Sequence, residues 1–295
     1  MSEKIQLYDR KSKSVITETV MGNGALRFAY NTLLGNCLSG LLFNTAGLSR
    51  LLGKYYDSKF SRKDIKKLAS IPGCLAEEAE FAPDHYQSFN DFFTRRLKTG
   101  ARPFSAEPQV MCSPADGRLF VYENLTPNSA VPVKRAKRTL ADLCCQLALP
   151  ETLAVAVVRL APVDYHRFHF PCDCVQHELP MVVKGKYHSV NPIAFKRYPD
   201  VYTENTRQIT ELESELFGKL IYIEVGAFGV GSIIQTSNAG SHLKMDEKGY
   251  FKFGGSTVIL IFDNSKVKFD TDLLENSEKG YETIIRCGEQ IATRS

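Results

Sequence analysis

The sequence predicts an α+β protein, with N-terminal helices followed by a mainly antiparallel β core. Two patterns predict this fold class. From Ala25 to Tyr56, a mainly apolar stretch is interrupted by polar residues and glycines, as in amphipathic helices. From about Val110 onward, short apolar runs stand between turn signals, which is typical of strands. We therefore divide the chain into a helical region over 1–100 and a β-rich core over 101–295.

The individual elements follow the same two patterns. A helix is predicted from Ser61 or Arg62 to Ser70, ahead of a Pro-Gly break. Phenylalanines at helical spacing predict another from Ser88 to Lys98, and a further helix is predicted from Thr139 to Leu147, among the strands. The predicted strands are Leu119 to Tyr122, Leu153 to Leu160, Met181 to Val183, Leu220 to Val225, Val230 to Gln235 and Val258 to Phe262.

Composition and charge argue against several classes of function. The 295 residues carry a net charge of +4 with no long basic block, so the sequence does not favour a nucleic-acid partner. The eight cysteines lack the spacing of a disulfide scaffold and no signal peptide is recognised, so we expect reduced thiols. Cys172-Asp173-Cys174 has no second matching pair, and we therefore expect no metal site.

The apolar N-terminal stretch predicts contact with a membrane surface. It never reaches the ~18 consecutive apolar residues of a spanning helix. A pair of amphipathic helices lying on the surface fits better, with Arg27, Arg50 and Lys54 available to anionic head groups. The alternative is that these helices pack on the protein's own core. We expect a peripheral protein at the cytoplasmic face of the cell membrane.

A serine after two glycines is the strongest chemical signal. Gly254-Gly255-Ser256-Thr257 stands directly before the apolar run of the last predicted strand. Because glycine has no Cβ and tolerates strained backbone angles, the Ser256 hydroxyl can approach the carbonyl of the preceding residue. This is the arrangement that a chain needs to cleave itself. The alternative is a tight turn that leads into a strand.

An aspartate and two histidines complete a candidate catalytic set. Asp116 lies in a turn bracketed by proline and glycine, and His166 and His169 lie three residues apart in one segment. A carboxylate that orients an imidazole, which in turn takes a hydroxyl proton, activates a serine. The chain order Asp116, His169, Ser256 matches none of the common hydrolases, and no Gly-x-Ser-x-Gly sequence surrounds Ser256.

Six segments follow one another along most of the chain. They are Ser88-Phe89-Asn90-Asp91-Phe92-Phe93-Thr94-Arg95, Ser113-Pro114-Ala115-Asp116-Gly117, the run from Asp164 to His169, Ser189-Val190-Asn191-Pro192, Val225-Gly226-Ala227, and Gly249-Tyr250-Phe251-Lys252-Phe253-Gly254-Gly255-Ser256-Thr257. Each segment is weak alone, but all of them in this order resemble one family, the phosphatidylserine decarboxylases, in the form found in bacteria.

The resemblance implies an enzyme that makes its own pyruvoyl cofactor. Ser256 would attack the carbonyl of Gly255 to give an ester, and β-elimination and hydrolysis would leave a pyruvoyl group and ammonia. The products would be a subunit of residues 1–255 and one of 256–295, which stay associated; a homodimer is left open. The family's triad falls on Asp116, His169 and Ser256, and His166 is assigned to substrate contact or protonation. The substrate would be phosphatidylserine and the product phosphatidylethanolamine.

Some positions depart from the family pattern, and other functions stay open. Met245 stands where a glycine is usual, Lys248 where an apolar residue is usual, and His188 where an apolar or aromatic residue is common. Lys134-Arg135-Ala136-Lys137-Arg138 replaces a segment that contains glycine. The alternatives are a serine hydrolase or acyltransferase that uses the same triad without cleavage, a non-catalytic lipid-binding protein, and a pyruvoyl decarboxylase of a different amine.

Overall fold

A large, mainly antiparallel sheet forms the centre of the computed structural model, which describes residues 5–18, 46–131, 136–192, 198–227, 232–254 and 256–295. The strands of the described residues are β1 (Gln6–Asp9), β2 (Ser14–Thr17), β3 (Val110–Cys112), β4 (Gly117–Leu125), β5 (Leu153–Leu160), β6 (Arg167–His169), β7 (Cys174–Gln176), β8 (Met181–Val183), β9 (Arg207–Ser214), β10 (Gly218–Gly226), β11 (Ile233–Gln235), β12 (Gly240–His242), β13 (Glu247–Phe251), β14 (Ser256–Asp263), β15 (Val267–Phe269), β16 (Glu282–Ile285) and β17 (Gln290–Arg294). In the large sheet the strands run in the order β12-β7-β9-β10-β14-β5-β4-β16-β1-β2, and β8 pairs with β9.

The remaining elements are short helices and two small sheets. One small sheet has the order β11-β13-β6 and the other β15-β17-β3. The helices are α1 (Ala46–Asp57), α2 (Lys63–Ala69), α3 (Phe89–Phe93), α4 (Leu140–Leu143), α5 (Val201–Glu204) and α6 (Thr271–Glu278), with 3₁₀ turns over Lys59–Arg62, Ala76–Glu78 and Asn264–Lys266. In the described part of the chain, β1 and β16 pair in parallel and the other strand pairs are antiparallel. The predicted α+β class is confirmed.

The central strands of the sheet are buried on both faces. Every residue of β5 is buried, and β14 is buried from Ser256 to Phe262. Because successive side chains of a strand point to opposite faces, Val158 and Leu260 pack in one apolar cluster while Val157 and Ile259 pack in a second. β14 lies between β10 and β5, so its first residue, Ser256, is placed by backbone hydrogen bonds from two neighbours.

The helical region packs against the start of β14 through a third apolar cluster. Phe89, Phe92 and Phe93 of α3 lie in its centre, and Phe253, three residues before Ser256, is partly buried against it. The predicted assignment of these aromatic rings to the core agrees with this packing. Side-chain burial on α3 therefore brings the helices beside the connection from β13 to β14.

The N-terminal region differs in part from the prediction. Residues 6–17 form the hairpin β1–β2, which extends the edge of the large sheet beside β16. The sequence prediction missed it, because strands this short have little periodicity and pair with a segment distant in the chain. Of the stretch predicted from Ala25 to Tyr56, residues 25–45 lie outside the described residues, and the rest belongs to α1.

Three predicted helices are also revised. The helix predicted to start at Ser61 or Arg62 appears as a 3₁₀ turn followed by α2. The helices predicted over Ser88 to Lys98 and Thr139 to Leu147 shorten to α3 and α4. After α4, Cys145 and Gln146 have positive φ, which a right-handed helix cannot continue through. In the described part of the chain, no helix is long and apolar enough to span a bilayer.

Candidate active site

Ser256 presents a buried hydroxyl at the first position of β14. Its backbone pairs with Gly226 of β10 on one side and Leu160 of β5 on the other. The residue is 0% exposed, and its Oγ has no hydrogen-bond partner among the described residues. Gly254 has φ +155°, which only glycine adopts readily, and Gly255 lies outside the described residues. A buried hydroxyl without a partner is costly to keep, and such groups often serve chemistry.

His169 is held in one tautomer by a backbone carbonyl. Its Nδ1 lies 2.9 Å from the carbonyl oxygen of Met245. Because a carbonyl can only accept, Nδ1 carries the proton and Nε2 has the free lone pair. The hydroxyl of Tyr165 donates to Nε2 at 3.2 Å. Burial lowers the pKa of His169, so the imidazole is neutral and basic at Nε2 near neutral pH.

Asp116 is bound to an arginine. The guanidinium of Arg102 donates to both of its carboxylate oxygens at 2.8 and 2.6 Å, and the backbone N–H of Cys287 donates to Oδ1 at 2.9 Å. Arg102 also pairs with Glu78 at 2.6 Å. The carboxylate therefore makes no hydrogen bond to His169 in the described structure, although its charge acts to raise the pKa of that histidine against the larger effect of burial.

The structure adds residues to this site that the sequence prediction missed. Arg102 and Cys287 lie far apart in the chain and carry no recognisable pattern, so only the fold brings them to Asp116. Tyr165 lies next to His166, inside the segment that the sequence singled out, so its place in the site could have been predicted from the sequence. The three predicted residues Asp116, His169 and Ser256 form no continuous hydrogen-bonded chain among the described residues.

An open cavity of about 550 Å³ lies beside His169. Tyr165 and Arg102 line it together with Arg96 and Lys98. Concave sites of this size accommodate small polar groups, and cationic side chains at the rim suit an anionic phosphate. The cavity therefore offers space for a phosphorylated head group next to a basic nitrogen.

His166 is enclosed more completely than His169. It is 0% exposed, and its ring centroid lies 3.9 Å from that of Phe93. Nδ1 lies 2.9 Å from the backbone carbonyl oxygen of Asp164, so it carries the proton, and Nε2 has no partner among the described residues. Burial lowers the pKa of His166 to about 3. His166 thus presents a bare acceptor nitrogen to the interior and holds no second proton at neutral pH.

Comparison with known proteins assigns the family. The family model for phosphatidylserine decarboxylase matches residues 89–293. A phosphatidylserine decarboxylase proenzyme of Clostridium novyi (strain NT) is 40% identical over 98% of this chain and 99% of its own length. The chain belongs to the phosphatidylserine decarboxylase family. Proteins of the same name from Clostridium botulinum (strain 657 / Type Ba4) and Chlamydia pneumoniae are 41% and 39% identical over 98% of the chain. The predicted family is confirmed.

Met245 explains one departure from the pattern expected of the family. Its φ is +70°, in the left-handed region that glycine adopts without strain. The carbonyl of this residue is the one that holds Nδ1 of His169. The turn therefore keeps the conformation that a glycine would favour, and the candidate base depends on it.

The effect of a substitution at Met245 on stability should depend on whether the new residue tolerates the positive φ. We expect Met245→Val to destabilise the protein by at least ~1 kcal/mol, because a β-branched residue is strained at positive φ. Met245→Gly should change stability by less than ~1 kcal/mol, since relief of strain offsets the added flexibility of the unfolded chain. Denaturant unfolding in a Ser256→Ala background measures both. Equal losses in the two variants would contradict the argument.

Lys248 is a second departure, and its partner is a buried glutamate. The ammonium lies 2.6 Å from Oε1 of Glu224, both side chains are 0% exposed, and Gln235 accepts a further hydrogen bond at 3.0 Å. Burial lowers the pKa of Lys248 and raises that of Glu224, while each charge acts against the other's shift. Glu224 pairs with Val258 in the sheet, one side-chain step along the same face from the pair that contains Ser256.

Removing one member of this pair should cost more than removing both. Lys248→Met leaves a buried carboxylate without its partner, and we expect a loss of about 3–5 kcal/mol in the free energy of unfolding. Lys248→Met with Glu224→Leu should recover most of that loss, because neither buried charge remains. Unfolding curves of the three chains test this. A double variant as unstable as Lys248→Met would show that the pair is not the reason for the loss.

The other departures have local partners as well. The backbone N–H of His188 donates to Oδ1 of Asn205 at 3.0 Å, and its ring stacks on Tyr198 at 3.9 Å. In the basic segment, residues 134 and 135 lie outside the described residues, while the backbone N–H groups of Lys137 and Arg138 donate to Oδ1 of Asp200 at 2.8 Å. Asn205 also donates to the carbonyl of Gly226 at 2.8 Å, and Gly226 pairs with Ser256, so the His188 segment is linked to the start of β14.

Proposed function

We propose that this chain converts phosphatidylserine to phosphatidylethanolamine with a pyruvoyl group that it makes from Ser256. The observation that supports this most directly is the buried, unpartnered Oγ of Ser256 at the start of a central strand, next to two glycines. Membership of a family whose relatives are named proenzymes supports the same reaction and the predicted cofactor. In this proposal Ser256 is both the nucleophile of self-cleavage and the source of the group that decarboxylation uses.

Self-cleavage at Ser256 requires a nucleophilic attack and a base that moves its proton. Oγ of Ser256 attacks the carbonyl carbon of Gly255, its proton passes through a base to the nitrogen of Ser256, and the C–N bond between the residues breaks to give an ester. Loss of the α proton of Ser256 then expels the Gly255 carboxylate by β-elimination, which cuts the chain, and hydrolysis of the resulting dehydroalanine gives the pyruvoyl group and ammonia. His169 is our candidate base, because its Nε2 lone pair is available once the Tyr165 hydroxyl turns away. Asp116 holds the turn next to this histidine through Arg102 and contributes negative charge.

The site fits the group that cleavage would produce. A pyruvoyl carbonyl supplies the electron sink that accepts the electron pair left when carbon dioxide departs. The position of Ser256 between β10 and β5 keeps this end of the chain away from water. The head-group phosphate of the substrate is assigned to the cavity beside His169, within reach of Arg96 and Lys98.

His166 is proposed to act on the substrate after processing. Its Nε2 has no partner among the described residues, so it can contact the substrate or deliver a proton to the carbon that loses carbon dioxide. Because burial lowers the pKa of His166, the imidazole rests in its neutral form, and a proton that it receives is readily given up.

His166→Ala should separate processing from turnover. We expect the variant to be cleaved, but to release carbon dioxide from carboxyl-labelled phosphatidylserine at least ~10²-fold more slowly, because no nitrogen remains to move the proton. The exposed His177, which pairs with Glu213, provides the control His177→Ala. Turnover of His166→Ala at the wild-type rate would reassign His166 to a structural role.

The mass of the purified protein tests the whole proposal. Active protein should contain a fragment of residues 256–295 that resists Edman sequencing and reacts with a hydrazine through its ketone. An active preparation with one intact chain of 33.0 kDa would instead support a serine hydrolase that uses the same residues. Full lipid binding without carbon dioxide release would support a non-catalytic lipid-binding protein. Release from a free amino acid would change the substrate.

The two fragments are proposed to remain one folded unit. Residues 256–295 supply β14, which pairs with β10 and β5, β16, which pairs with β1 and β4, and β17, which pairs with β3; all five partner strands belong to residues 1–255. Separating them would expose the buried central strand and break its hydrogen bonds. Elution of both fragments together from a sizing column tests this, and the mass in solution tests whether the protein forms a homodimer.

We assign the membrane-facing surface to the helical region. Leu51 and Phe60 are 65% and 81% exposed, although both are large and apolar. Exposed basic residues lie near them in the sequence: Lys54, Lys59, Arg62, Lys63, Lys66 and Lys67. Exposed apolar side chains together with cations in one helical region fit the interface of an anionic bilayer at the cytoplasmic face of the membrane. Leu51→Ser with Phe60→Ser should reduce flotation with phosphatidylserine vesicles, and unchanged flotation would remove this assignment.

A further inference from the structure

The connection that precedes Ser256 is held by a side chain of the helical region. β13 ends at Phe251 and β14 begins at Ser256, so four residues link them and include the proposed cleavage bond. The backbone N–H of Phe253 donates to Oδ1 of Asn90 at 2.8 Å. Nδ2 of the same amide donates to Oδ1 of Asp57 at 2.9 Å. Asn90 therefore joins the connection to the end of α1.

A lysine closes this set of contacts. The ammonium of Lys252 donates to both carboxylate oxygens of Asp57 at 3.0 Å. Asp57 is thus bound to Asn90 and to the residue next to Phe253. The ring of Phe253 packs nearby, with its centroid 4.5 Å from that of Tyr56. We call Asp57, Asn90 and Lys252 the loop clamp.

Burial shows which member of the loop clamp holds the backbone. Asn90 is 3% exposed, so water cannot replace a hydrogen bond that its amide loses. The side chains of Asp57 and Lys252 are 47% and 30% exposed, and an ion pair at that exposure contributes little by itself. Asp57 therefore acts mainly by fixing the orientation of the Asn90 amide, which presents its oxygen to Phe253.

We propose that the loop clamp positions the Gly255–Ser256 bond for self-cleavage, with Asn90 as the main positioning residue. This inference rests on the proposed function. Attack of a hydroxyl on the adjacent carbonyl needs a held geometry, and a displacement of ~1 Å can cost ~10²-fold in rate. The two glycines before Ser256 have no side chains to hold that geometry, so on the N-terminal side of the bond the nearest anchor is Phe253 with its contacts, while the pairing of β14 holds Ser256 on the other side. The helical region thereby takes part in processing without touching the reacting atoms.

The rate of cleavage of newly made full-length chain tests the loop clamp. Cell-free synthesis followed by a chase, with samples separated on denaturing gels, gives a first-order rate constant. We expect Asn90→Ala to slow cleavage by about 10- to 100-fold. Asp91 lies next to it on α3 and accepts from the backbone N–H of Gln87 at 2.9 Å, without contact to the connection. Asp91→Ala is therefore the matched control and should be cleaved at nearly the wild-type rate.

An exchange of the two side chains separates positioning from general stability. Asn90→Asp places two carboxylates together and should be cleaved slowly. Asn90→Asp with Asp57→Asn restores one amide and one carboxylate, keeps the total charge, and again offers Phe253 an acceptor and Lys252 an oxygen. We expect the double variant to recover to within about 3-fold of the wild-type rate, because the pair is coupled. Melting temperatures of all variants, measured with Ser256→Ala added, report their folding.

Each outcome decides the inference. Slow cleavage in Asn90→Ala or Asn90→Asp, with recovery in the exchanged pair, supports it. Wild-type rates in both single variants overturn it, as does equal slowing in Asp91→Ala or a double variant no faster than Asn90→Asp. If Asn90→Ala does not fold, the exchanged pair still decides. If the wild-type chain itself is never cleaved, the proposed function fails, and that result is distinct from normal cleavage of the variants.

Discussion

Ser256→Ala is expected to remain a single uncut chain of 33.0 kDa. The reason is that no oxygen is left to attack the carbonyl of Gly255, and no pyruvoyl group can form without that step. Decarboxylation should be lost with it. The fold should persist, because the hydroxyl that is removed has no hydrogen-bond partner in the described structure and alanine fits the same strand position. Denaturing gels and mass spectrometry measure the result.

Two neighbouring variants sharpen this prediction. Ser256→Cys keeps a nucleophile at the same position, so we expect cleavage at a reduced rate. Ser265→Ala removes an exposed hydroxyl from the same C-terminal segment, where it donates to Asp263, and should be cleaved normally. A cut Ser256→Ala chain would mean that cleavage comes from another nucleophile or from a protease, and the proposed function would have to be abandoned.

His169→Ala is expected to slow self-cleavage by at least ~10²-fold through loss of the base. The described contacts leave Nε2 as the basic atom, since Nδ1 donates to the carbonyl of Met245. Uncut chain should accumulate during a chase and convert slowly. His177→Ala, at an exposed histidine, is the control. Cleavage of His169→Ala at the wild-type rate would move the role of base to another residue.

The pH dependence of the cleavage rate tests the assignment of His169 as the base in a second way. Burial lowers the pKa of His169 below the ordinary value of 6.5, so its neutral form persists at more acidic pH than that of an exposed histidine. The rate constant for cleavage should therefore stay level as pH falls through 6.5 and decline only below the lowered pKa. A decline centred at or above 6.5 would contradict the assigned base or its burial.

The strands of the core could be predicted because their signal is local. β5 has the predicted bounds from Leu153 to Leu160, and β14 begins two residues before the predicted Val258. A run of apolar residues between two turns indicates such a strand, whichever strands it pairs with. The hairpin β1–β2 was missed because its place beside β16, at the other end of the chain, is a property of the whole sheet.

The contacts of the candidate site were less predictable. The sequence identified Asp116, His166 and His169, but Asp116 binds Arg102 and both histidines use their Nδ1 atoms on backbone carbonyls. Carbonyl acceptors leave no trace in residue identity, since every residue has one. Met245 departs from the glycine expected of the family, and its positive φ shows why a glycine suits this position.

The sequence alone determined the family of this protein, its α+β class and the serine at which it is proposed to cut itself, because residue order and spacing encode these directly. Only the tertiary structure decided which partners the residues around the candidate site bind. Asn90 and Phe253 are separated by 163 positions, and Asp116 and Cys287 by 171. Partners at such separations depend on strand order and packing across the whole core, which no local pattern specifies.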